Sequence, residues 1–125
     1  MNKEAKAKKI LVVDDDPTQV KLLKERLEEK CFVVLTATEA PEGLQMAIDH
    51  APNLIILDVM MPVINGYNFC KLLKNEEKHS KIPILLLTCR DKEEDLQIGM
   101  EMGANAYLTK PVHFEELFEE INRLI

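Results

Sequence analysis

The stretch that decides the fold is Leu54-Ile55-Ile56-Leu57-Asp58, four aliphatic residues followed by a carboxylate. A similar run, Ile10 to Val13, comes directly before Asp14 and Asp15. Short apolar runs of this kind are typical of strands that are buried on both faces. An ionised carboxylate is costly to bury, so packing does not explain these acids. If the two runs are neighbouring parallel strands, three carboxylates meet at one edge of a sheet and repel each other unless a cation lies among them.

Apolar runs and amphipathic segments alternate along the chain and predict a regular α/β fold. Five apolar runs are interpreted as strands, at Lys9–Val13, Phe32–Thr36, Asn53–Leu57, Ile84–Leu87 and Ala106–Thr109. The amphipathic segments after them are interpreted as helices that begin near Pro17, Thr38, Gly66, Asp91 or Lys92, and Phe114. Parallel strands with apolar faces on both sides need helices on both sides. The prediction is therefore (βα)5, a doubly wound five-stranded parallel sheet of flavodoxin-like type in the order 2-1-3-4-5.

Local signals refine the expected helices. Asp16 followed by Pro17 predicts a helix start with a carboxylate N-cap. Thr38 is expected to cap the second helix. The third helix is expected to carry Phe69, Leu72 and Leu73 after a turn at Asn65-Gly66.

Composition and charge limit the classes of protein that this chain can be. Its 125 residues suit one domain, and its apolar fraction of 46% suits a full core. No stretch approaches the roughly 18 apolar residues of a membrane span, and the polar N-terminus does not resemble a secretory signal. The net charge of −6 argues against direct nucleic-acid binding by this domain. We expect a disordered segment over residues 1–8 and one cytoplasmic domain over residues 9–125.

The cysteines agree with a reducing compartment. Cys31, Cys70 and Cys89 are odd in number and have no CxxC spacing. A disulfide framework or a zinc site is therefore not predicted. All three are expected to be small buried residues.

Polar side chains fall at the carboxyl ends of four predicted strands. They are Asp14 and Asp15 after the first strand, Asp58 after the third, Thr88 after the fourth and Lys110 after the fifth. In the predicted strand order these four strands are neighbours, and ligands of such sheets bind at this edge. The end of the second strand, at the far side, carries no charge. The pattern therefore predicts one shared site.

These residue types suit phosphoryl chemistry. Carboxylate oxygens are ligands for Mg²⁺, and a carboxylate can also attack phosphorus to give an aspartyl phosphate. A lysine ammonium neutralises charge on a transferring phosphoryl group, and a threonine hydroxyl can donate a hydrogen bond to one of its oxygens. Asp16 fits a helix cap better and is given only a minor metal role. The set describes a site that binds a divalent metal and accepts a phosphoryl group.

Four short segments carry a resemblance to a known family. They are Ile10-Leu11-Val12-Val13-Asp14-Asp15, Leu57-Asp58-Val59-Met60-Met61-Pro62, Leu87-Thr88 and Leu108-Thr109-Lys110-Pro111. Each is a weak motif alone, but their order and spacing are specific. Over residues 9–125 the chain resembles the receiver domain of bacterial response regulators, the CheY-like superfamily of two-component signalling.

The resemblance implies a phosphoacceptor and a metal site. Asp58 would accept a phosphoryl group from a phosphohistidine of a sensor histidine kinase or a phosphotransfer protein. Mg²⁺, for which Mn²⁺ can substitute, would be held by Asp14, Asp15, Asp58 and the backbone carbonyl of Met60. Phosphorylation would then change the conformation and control an effector domain or protein, which the sequence does not identify.

The resemblance also implies a switch. Lys110 would pair with the Asp58 carboxylate and then with the phosphoryl group. Thr88 would move toward a phosphoryl oxygen on activation, and Tyr107 would turn inward as it does so. The Lys110-Pro111 bond is cis in the family, which an X-Pro bond allows.

Two further features concern regulation and assembly. Met60 and Arg90 lie two residues after Asp58 and Thr88, where residues of the family tune the lifetime of the phosphoryl group. Ile98 and Met102 lie one helical turn apart, away from the core stripe, and favour an exposed apolar patch for a partner or a homodimer.

Three other functions were weighed. A Mg²⁺-dependent phosphohydrolase working through an aspartyl phosphate often has a second acid two residues after the nucleophile, where this chain has Met60. A nucleotide or flavin binder is disfavoured because the first strand is followed by three acids, which repel an anionic cofactor. A scaffolding receiver that needs no phosphate stays open. The leading interpretation is a signalling switch rather than an enzyme.

Overall fold

The computed structural model describes residues 7–59, 66–76, 78–89, 100–101 and 103–125. The described strands are β1 (Lys9–Val13), β2 (Val33–Ala37), β3 (Leu54–Asp58), β4 (Ile84–Cys89) and β5 (Ala106–Lys110). The described helices are α1 (Pro17–Glu29), α2 (Ala40–His50), α3 (Gly66–Lys74) and α4, the C-terminal helix (Phe114–Leu124). Several expectations lie outside the described residues: the N-terminal segment 1–6, Met60, Arg90, the start of the helix at Asp91 or Lys92, Ile98, Met102 and the side chain of Cys89.

The five strands form one parallel sheet in the order β2-β1-β3-β4-β5. The predicted fold class and strand order are therefore confirmed. In the register, Val13 lies opposite Leu57 and Asp58 lies opposite Leu87. The carboxyl ends of β1, β3 and β4 are thus level with each other, and β5 ends beside β4.

The sheet has a separate hydrophobic core on each face because successive side chains of a strand point to opposite sides. One core joins the odd-numbered residues of β1 and β3 to α2 and α3. The other joins their even-numbered residues to α1 and α4. Both faces of β3 are consequently covered, and all its residues, Leu54 to Asp58, are buried. This explains why the run that ends at Asp58 is apolar without alternation.

α2 packs very closely on β1, and a glycine makes this approach geometrically feasible. A Cβ atom at Gly43 would lie 2.7 Å from Cγ2 of Val13. Any side chain there would push α2 away from β1, the strand that precedes Asp14. The described part of the chain contains no helix that is long and apolar enough to cross a membrane.

Two helix starts test the predicted caps. α1 begins as predicted, since Asp16 accepts a hydrogen bond from the Thr18 amide and Pro17 is the first helical residue. α2 begins at Ala40 rather than after Thr38, and its N-cap, Glu39, makes no side-chain capping bond. Pro41 explains the later start, because its fixed φ and missing N–H fit the first turn of a helix.

The apolar residues of α3 are not all buried. The side chain of Leu72 is 45% exposed, whereas Phe69, Cys70 and Leu73 are buried. Leu72 is one residue from Leu73, roughly 100° around the helix, and this turns it away from the core.

The prediction that Cys31 is buried was wrong, because this residue is exposed. It has a φ of 69° and follows Lys30, the C-cap of α1. Its amide donates to the Glu28 carbonyl at 2.9 Å. A left-handed residue at this position ends the helix, so the local backbone decides where the thiol lies.

Candidate functional site

Parallel pairing brings the predicted site residues to one edge of the sheet. Asp58 is the last residue of β3, and Asp14 follows the last residue of the adjacent β1. The Asp14 amide donates to the Ala37 carbonyl at 3.1 Å, which extends the pairing of β1 with β2 by one residue. The Val59 amide donates to the Leu87 carbonyl at 3.0 Å and holds β3 against β4 in the same way. The backbone around both acids is therefore fixed by strand pairing.

Three carboxylates come together at this edge. One oxygen from each of Asp14, Asp15 and Asp58 lies within 4.8 Å of the others, the one such group of potential metal ligands among the described residues. Asp14 is 1% exposed and Asp58 is 5% exposed, whereas Asp15 is open to solvent. Two buried carboxylates beside a third acid need a positive charge to offset their repulsion.

Lys110 supplies positive charge to both buried acids. Its Nζ donates a hydrogen bond to Oδ1 of Asp58 at 3.0 Å. The same Nζ lies 3.5 Å from Oδ2 of Asp14, close enough for an ion pair but not for a hydrogen bond of good geometry. The lysine side chain is 29% exposed. It therefore reaches from the solvent side into the acidic cluster.

The two oxygens of Asp14 have different surroundings. Oδ1 accepts a hydrogen bond from the Asp16 amide at 3.0 Å. Oδ2 is buried and has no hydrogen-bond partner. Burial raises the pKa of Asp14 above its ordinary value; the Asp16 amide lowers it, the charge of Asp58 raises it, and Lys110 lowers it. Together these effects raise the pKa of Asp14, so keeping this carboxylate ionised in the folded protein costs free energy.

The pKa of Lys110 is raised even though burial acts to lower it. The hydrogen bond to Asp58 and the negative charges of Asp58 and Asp14 outweigh burial. Lys110 is therefore held in its ammonium form, with its charge directed at the two buried acids.

Thr88 lies near the carboxyl end of β4, whereas Tyr107 is the second residue of β5. Thr88 follows Leu87, the partner of Asp58 in the register, and its side chain is buried with no hydrogen-bond partner for Oγ1. Tyr107 of β5 lies opposite Leu86 of β4 and is 44% exposed. The hydroxyl of Thr88 is thus a free donor at the edge, and the ring of Tyr107 is on the outside. The bond between Lys110 and Pro111 is cis.

The donor set fits a hard divalent cation. Mg²⁺ prefers carboxylate, carbonyl and water oxygens, and this edge offers three carboxylates. The buried Oδ2 of Asp14, which accepts no hydrogen bond, is a ligand atom of the kind that a bound cation would satisfy. Met60, whose carbonyl was predicted as a fourth ligand, lies outside the described residues.

Sequence reasoning missed two contacts of Asp14. It paired Lys110 with Asp58 alone, although the ammonium also faces Asp14. It gave Asp16 a capping role but did not foresee the bond from its amide back to Asp14. The spacing Asp-x-Asp was a usable signal, because an aspartate often accepts a bond from the amide two residues later.

Comparison with known proteins agrees with the geometry. The family model described as response regulator receiver domain matches residues 10–122. The alkaline phosphatase synthesis transcriptional regulatory protein PhoP of Bacillus subtilis is 41% identical, over 94% of this chain and 48% of its own length. Protein PilH of Pseudomonas aeruginosa is 36% identical, over 94% of this chain and 97% of its own length. The chain thus spans about half of PhoP and nearly all of PilH.

A solved structure has the same architecture. The chemotaxis protein CheY4 of Vibrio cholerae superposes with a TM-score of 0.90 at 32% identity, covering 96% of this chain and 100% of that one. The chain belongs to the family of response regulator receiver domains, the input-receiving modules of two-component signalling.

Proposed function

We propose that this protein is a phosphoacceptor switch in which Asp58 receives a phosphoryl group from a phosphohistidine. The donor would be a sensor histidine kinase or a phosphotransfer protein. The observation that carries the proposal is the surroundings of Asp58. Asp58 ends a buried strand, and its Oδ1 lies 3.0 Å from Nζ of Lys110. One of its carboxylate oxygens lies within 4.8 Å of an oxygen of Asp14 and of Asp15.

The transfer exchanges one bond to phosphorus for another. An oxygen of the Asp58 carboxylate attacks phosphorus, the P–N bond of the phosphohistidine breaks, and the imidazole leaves with the bonding electron pair. An acyl phosphate forms on Asp58. A bound Mg²⁺ ion, held by Asp14, Asp15, Asp58 and the carbonyl of Met60, would neutralise charge on the phosphoryl oxygens.

The other residues act on charge and position. Lys110 keeps Asp58 oriented before transfer, and its ammonium then pairs with a phosphoryl oxygen. The unpartnered Thr88 hydroxyl donates to another phosphoryl oxygen, and Tyr107 turns inward as Thr88 moves. The new contacts bias the protein toward its active conformation, which an effector domain or partner recognises. Water later hydrolyses the acyl phosphate and returns Asp58 to its starting state, at a rate set in part by Met60 and Arg90.

The test is phosphorylation by a small donor. Purified protein with Mg²⁺ and acetyl phosphate should gain the mass of one phosphoryl group. Asp58→Asn should gain none, whereas Asp49→Asn, which changes an exposed aspartate of α2, should gain as much as wild type. Absence of a gain in wild type, or a gain in Asp58→Asn, would refute the proposal.

Two further measurements separate the alternatives. A phosphohydrolase would release phosphate from a phosphomonoester over many turnovers, and we expect no such steady release. A scaffolding receiver would not depend on its acids for metal binding, so Asp15→Ala should weaken Mg²⁺ binding if the switch is correct. A beryllofluoride complex, compared with the free protein by size-exclusion chromatography, would reveal any homodimer formed on activation.

A further inference from the structure

Asp16 is the third acid of the run, and its side chain caps α1. Its Oδ1 accepts the Thr18 amide at 3.0 Å, and its own carbonyl accepts the Val20 amide at 3.0 Å. The group of described carboxylates within 4.8 Å of one another includes Asp14, Asp15 and Asp58 but not Asp16. The exposed Asp16 carboxylate is therefore committed to the first turn of α1.

The backbone amide of Asp16, unlike its side chain, bonds to one of the clustered acids. It donates to Oδ1 of Asp14 at 3.0 Å. The Asp14 amide is held by the Ala37 carbonyl at 3.1 Å, so Asp14 is fixed at both its backbone and one carboxylate oxygen. The remaining oxygen, Oδ2, is buried without a hydrogen bond and lies 3.5 Å from Nζ of Lys110. One carboxylate oxygen is thus anchored, and the other faces the cluster.

We propose that Asp16 is a positioning residue for the metal site, acting through its amide rather than its charge. Its N–H anchors one oxygen of Asp14 and thereby presents the other to a divalent cation. Its carboxylate caps α1, which fixes the direction of that N–H. The start of α1 is in this way coupled to the site. The inference rests on the proposed function, since it concerns the Mg²⁺ that Asp58 needs.

The expected size of the effect follows from the role. Groups that hydrogen-bond to a metal ligand fix its orientation, and their loss typically weakens metal binding by about 10–100-fold. A direct ligand would instead be needed for its negative charge. The two roles are separable because the amide and the carboxylate of Asp16 can be changed independently.

The experiment is calorimetric titration with Mg²⁺ of the wild type and three variants. Asp16→Asn keeps the amide and a good cap but loses the charge. Asp16→Ala keeps the amide and loses the cap, and Asp16→Pro loses both. The comparison of Asp16→Pro with Asp16→Ala removes the N–H, while proline also fixes φ near −65°, against −95° for Asp16, and restricts the backbone of Asp15. Thermal melts without Mg²⁺ report separately on the cap.

We expect Asp16→Asn to bind Mg²⁺ within about twofold of wild type, and Asp16→Pro to bind at least about tenfold more weakly than Asp16→Ala. A tenfold loss in Asp16→Asn would overturn the proposal, because it would make the charge essential. Equal affinities of Asp16→Pro and Asp16→Ala would overturn it too, because the amide would then be dispensable.

Amide hydrogen exchange provides a test that does not depend on a proline variant folding. The Asp16 amide should exchange slowly in wild type and faster in Asp14→Ala, which lacks the acceptor. Its protection should persist when Mg²⁺ is added, since the metal takes the other oxygen. Unprotected exchange in wild type, or loss of protection with Mg²⁺, contradicts the proposal.

Failure of the proposed function would look different. Wild-type protein would then bind no Mg²⁺ and gain no phosphoryl group, whatever residue 16 is. If wild type binds Mg²⁺ and is phosphorylated on Asp58 while the Asp16 variants behave contrary to expectation, only the role of Asp16 is wrong.

Discussion

The amino and carboxyl edges of the sheet differ in how their polar groups are satisfied. At the amino edge, Asn53 exchanges two hydrogen bonds of 2.8 Å with the backbone of Lys9. Asn105 does the same with the backbone of Ile84, at 2.9 and 2.8 Å. At the carboxyl edge, Oδ2 of Asp14 and Oγ1 of Thr88 are buried with no hydrogen-bond partner.

The polar groups of the amino edge contribute to stability, whereas those of the carboxyl edge belong to the candidate site. A reciprocal pair of bonds satisfies the open backbone groups of a strand start and contributes to stability. A buried polar atom without a partner costs stability and persists where a site needs it. A third buried atom without a hydrogen bond, Nδ1 of His79, lies in the turn before β4 and is not part of the acidic cluster. Atoms without a hydrogen bond indicate a site only where they lie beside a group of complementary charge, as Oδ2 of Asp14 does beside Lys110.

Lys110→Ala should produce the largest loss of stability, because it leaves two buried carboxylates without the ammonium between them. We expect the metal-free protein to lose about 2–3 kcal/mol of unfolding free energy, less than for a fully buried pair since Lys110 is partly exposed. Urea unfolding measures it, and Lys21→Ala, which removes an exposed lysine of α1, is the control. Added Mg²⁺ should restore part of the loss. A loss no greater than that of the control would mean that the carboxyl edge is not under charge strain.

Asn105→Ala tests the amino edge. It deprives the buried Ile84 amide of its acceptor, and we expect a loss of about 1–2 kcal/mol in unfolding free energy. Mg²⁺ affinity should stay at the wild-type value because the change lies at the opposite edge from the acids. Asn122→Ala, at an exposed position of α4, should have little effect on either quantity. If Asn105→Ala weakened Mg²⁺ binding, the two edges would be coupled and the comparison would fail.

Asp14→Asn should act in the opposite direction on stability. The amide oxygen of asparagine can still accept from Asp16, while the buried charge and its repulsion by Asp58 disappear. We expect the metal-free protein to gain about 1 kcal/mol or less, together with a loss of Mg²⁺ affinity of at least about tenfold. Unfolding with and without Mg²⁺ reports both quantities. A variant less stable than wild type without metal would show that Asp14 stabilises the fold.

The smallest expected effect is a pH dependence. The pKa of Asp14 is raised in the folded state, so the folded protein binds a proton there more tightly than the unfolded chain does. Its contribution to stability is complete below the ordinary value of 3.8 and is lost as pH rises through the folded pKa. Wild type, measured without metal, should therefore gain stability relative to Asp14→Asn as pH falls through the folded pKa of Asp14 toward 3.8.

Lys110 has the corresponding behaviour at alkaline pH. Its pKa is raised above 10.5, so its contribution is complete below that value and is lost as pH rises through the folded pKa. The difference between wild type and Lys110→Ala should be constant near neutral pH. An advantage in stability of Asp14→Asn over wild type that grew on acidification would contradict the sign derived for Asp14.

The sequence predicted the elements well where a pattern is repeated over a whole segment. The runs at β1 and β3 predicted strands, and their boundaries were right within one residue. Single positions were less predictable. Leu72 looked like a core residue because it is apolar, and Cys31 because thiols are often buried, but helix phase and a helix end decided both.

The residues of the candidate site were predictable because their positions follow from topology. A parallel sheet in the order 2-1-3-4-5 brings the ends of β1, β3, β4 and β5 side by side, whatever their exact spacing. The sequence by itself therefore determined the fold class, the acidic edge of the sheet and which residues lie at that edge with Asp58. The residue types and their order along the chain are enough for that.

Tertiary structure alone decided how the charges are shared. It placed the Lys110 ammonium between Asp58 and Asp14, left Oδ2 of Asp14 without a hydrogen bond, and used the Asp16 amide to hold the other oxygen. These contacts depend on distances of a few ångströms between segments far apart in the chain. Hydrogen bonds and ion pairs change steeply over such distances, and a sequence pattern does not encode them.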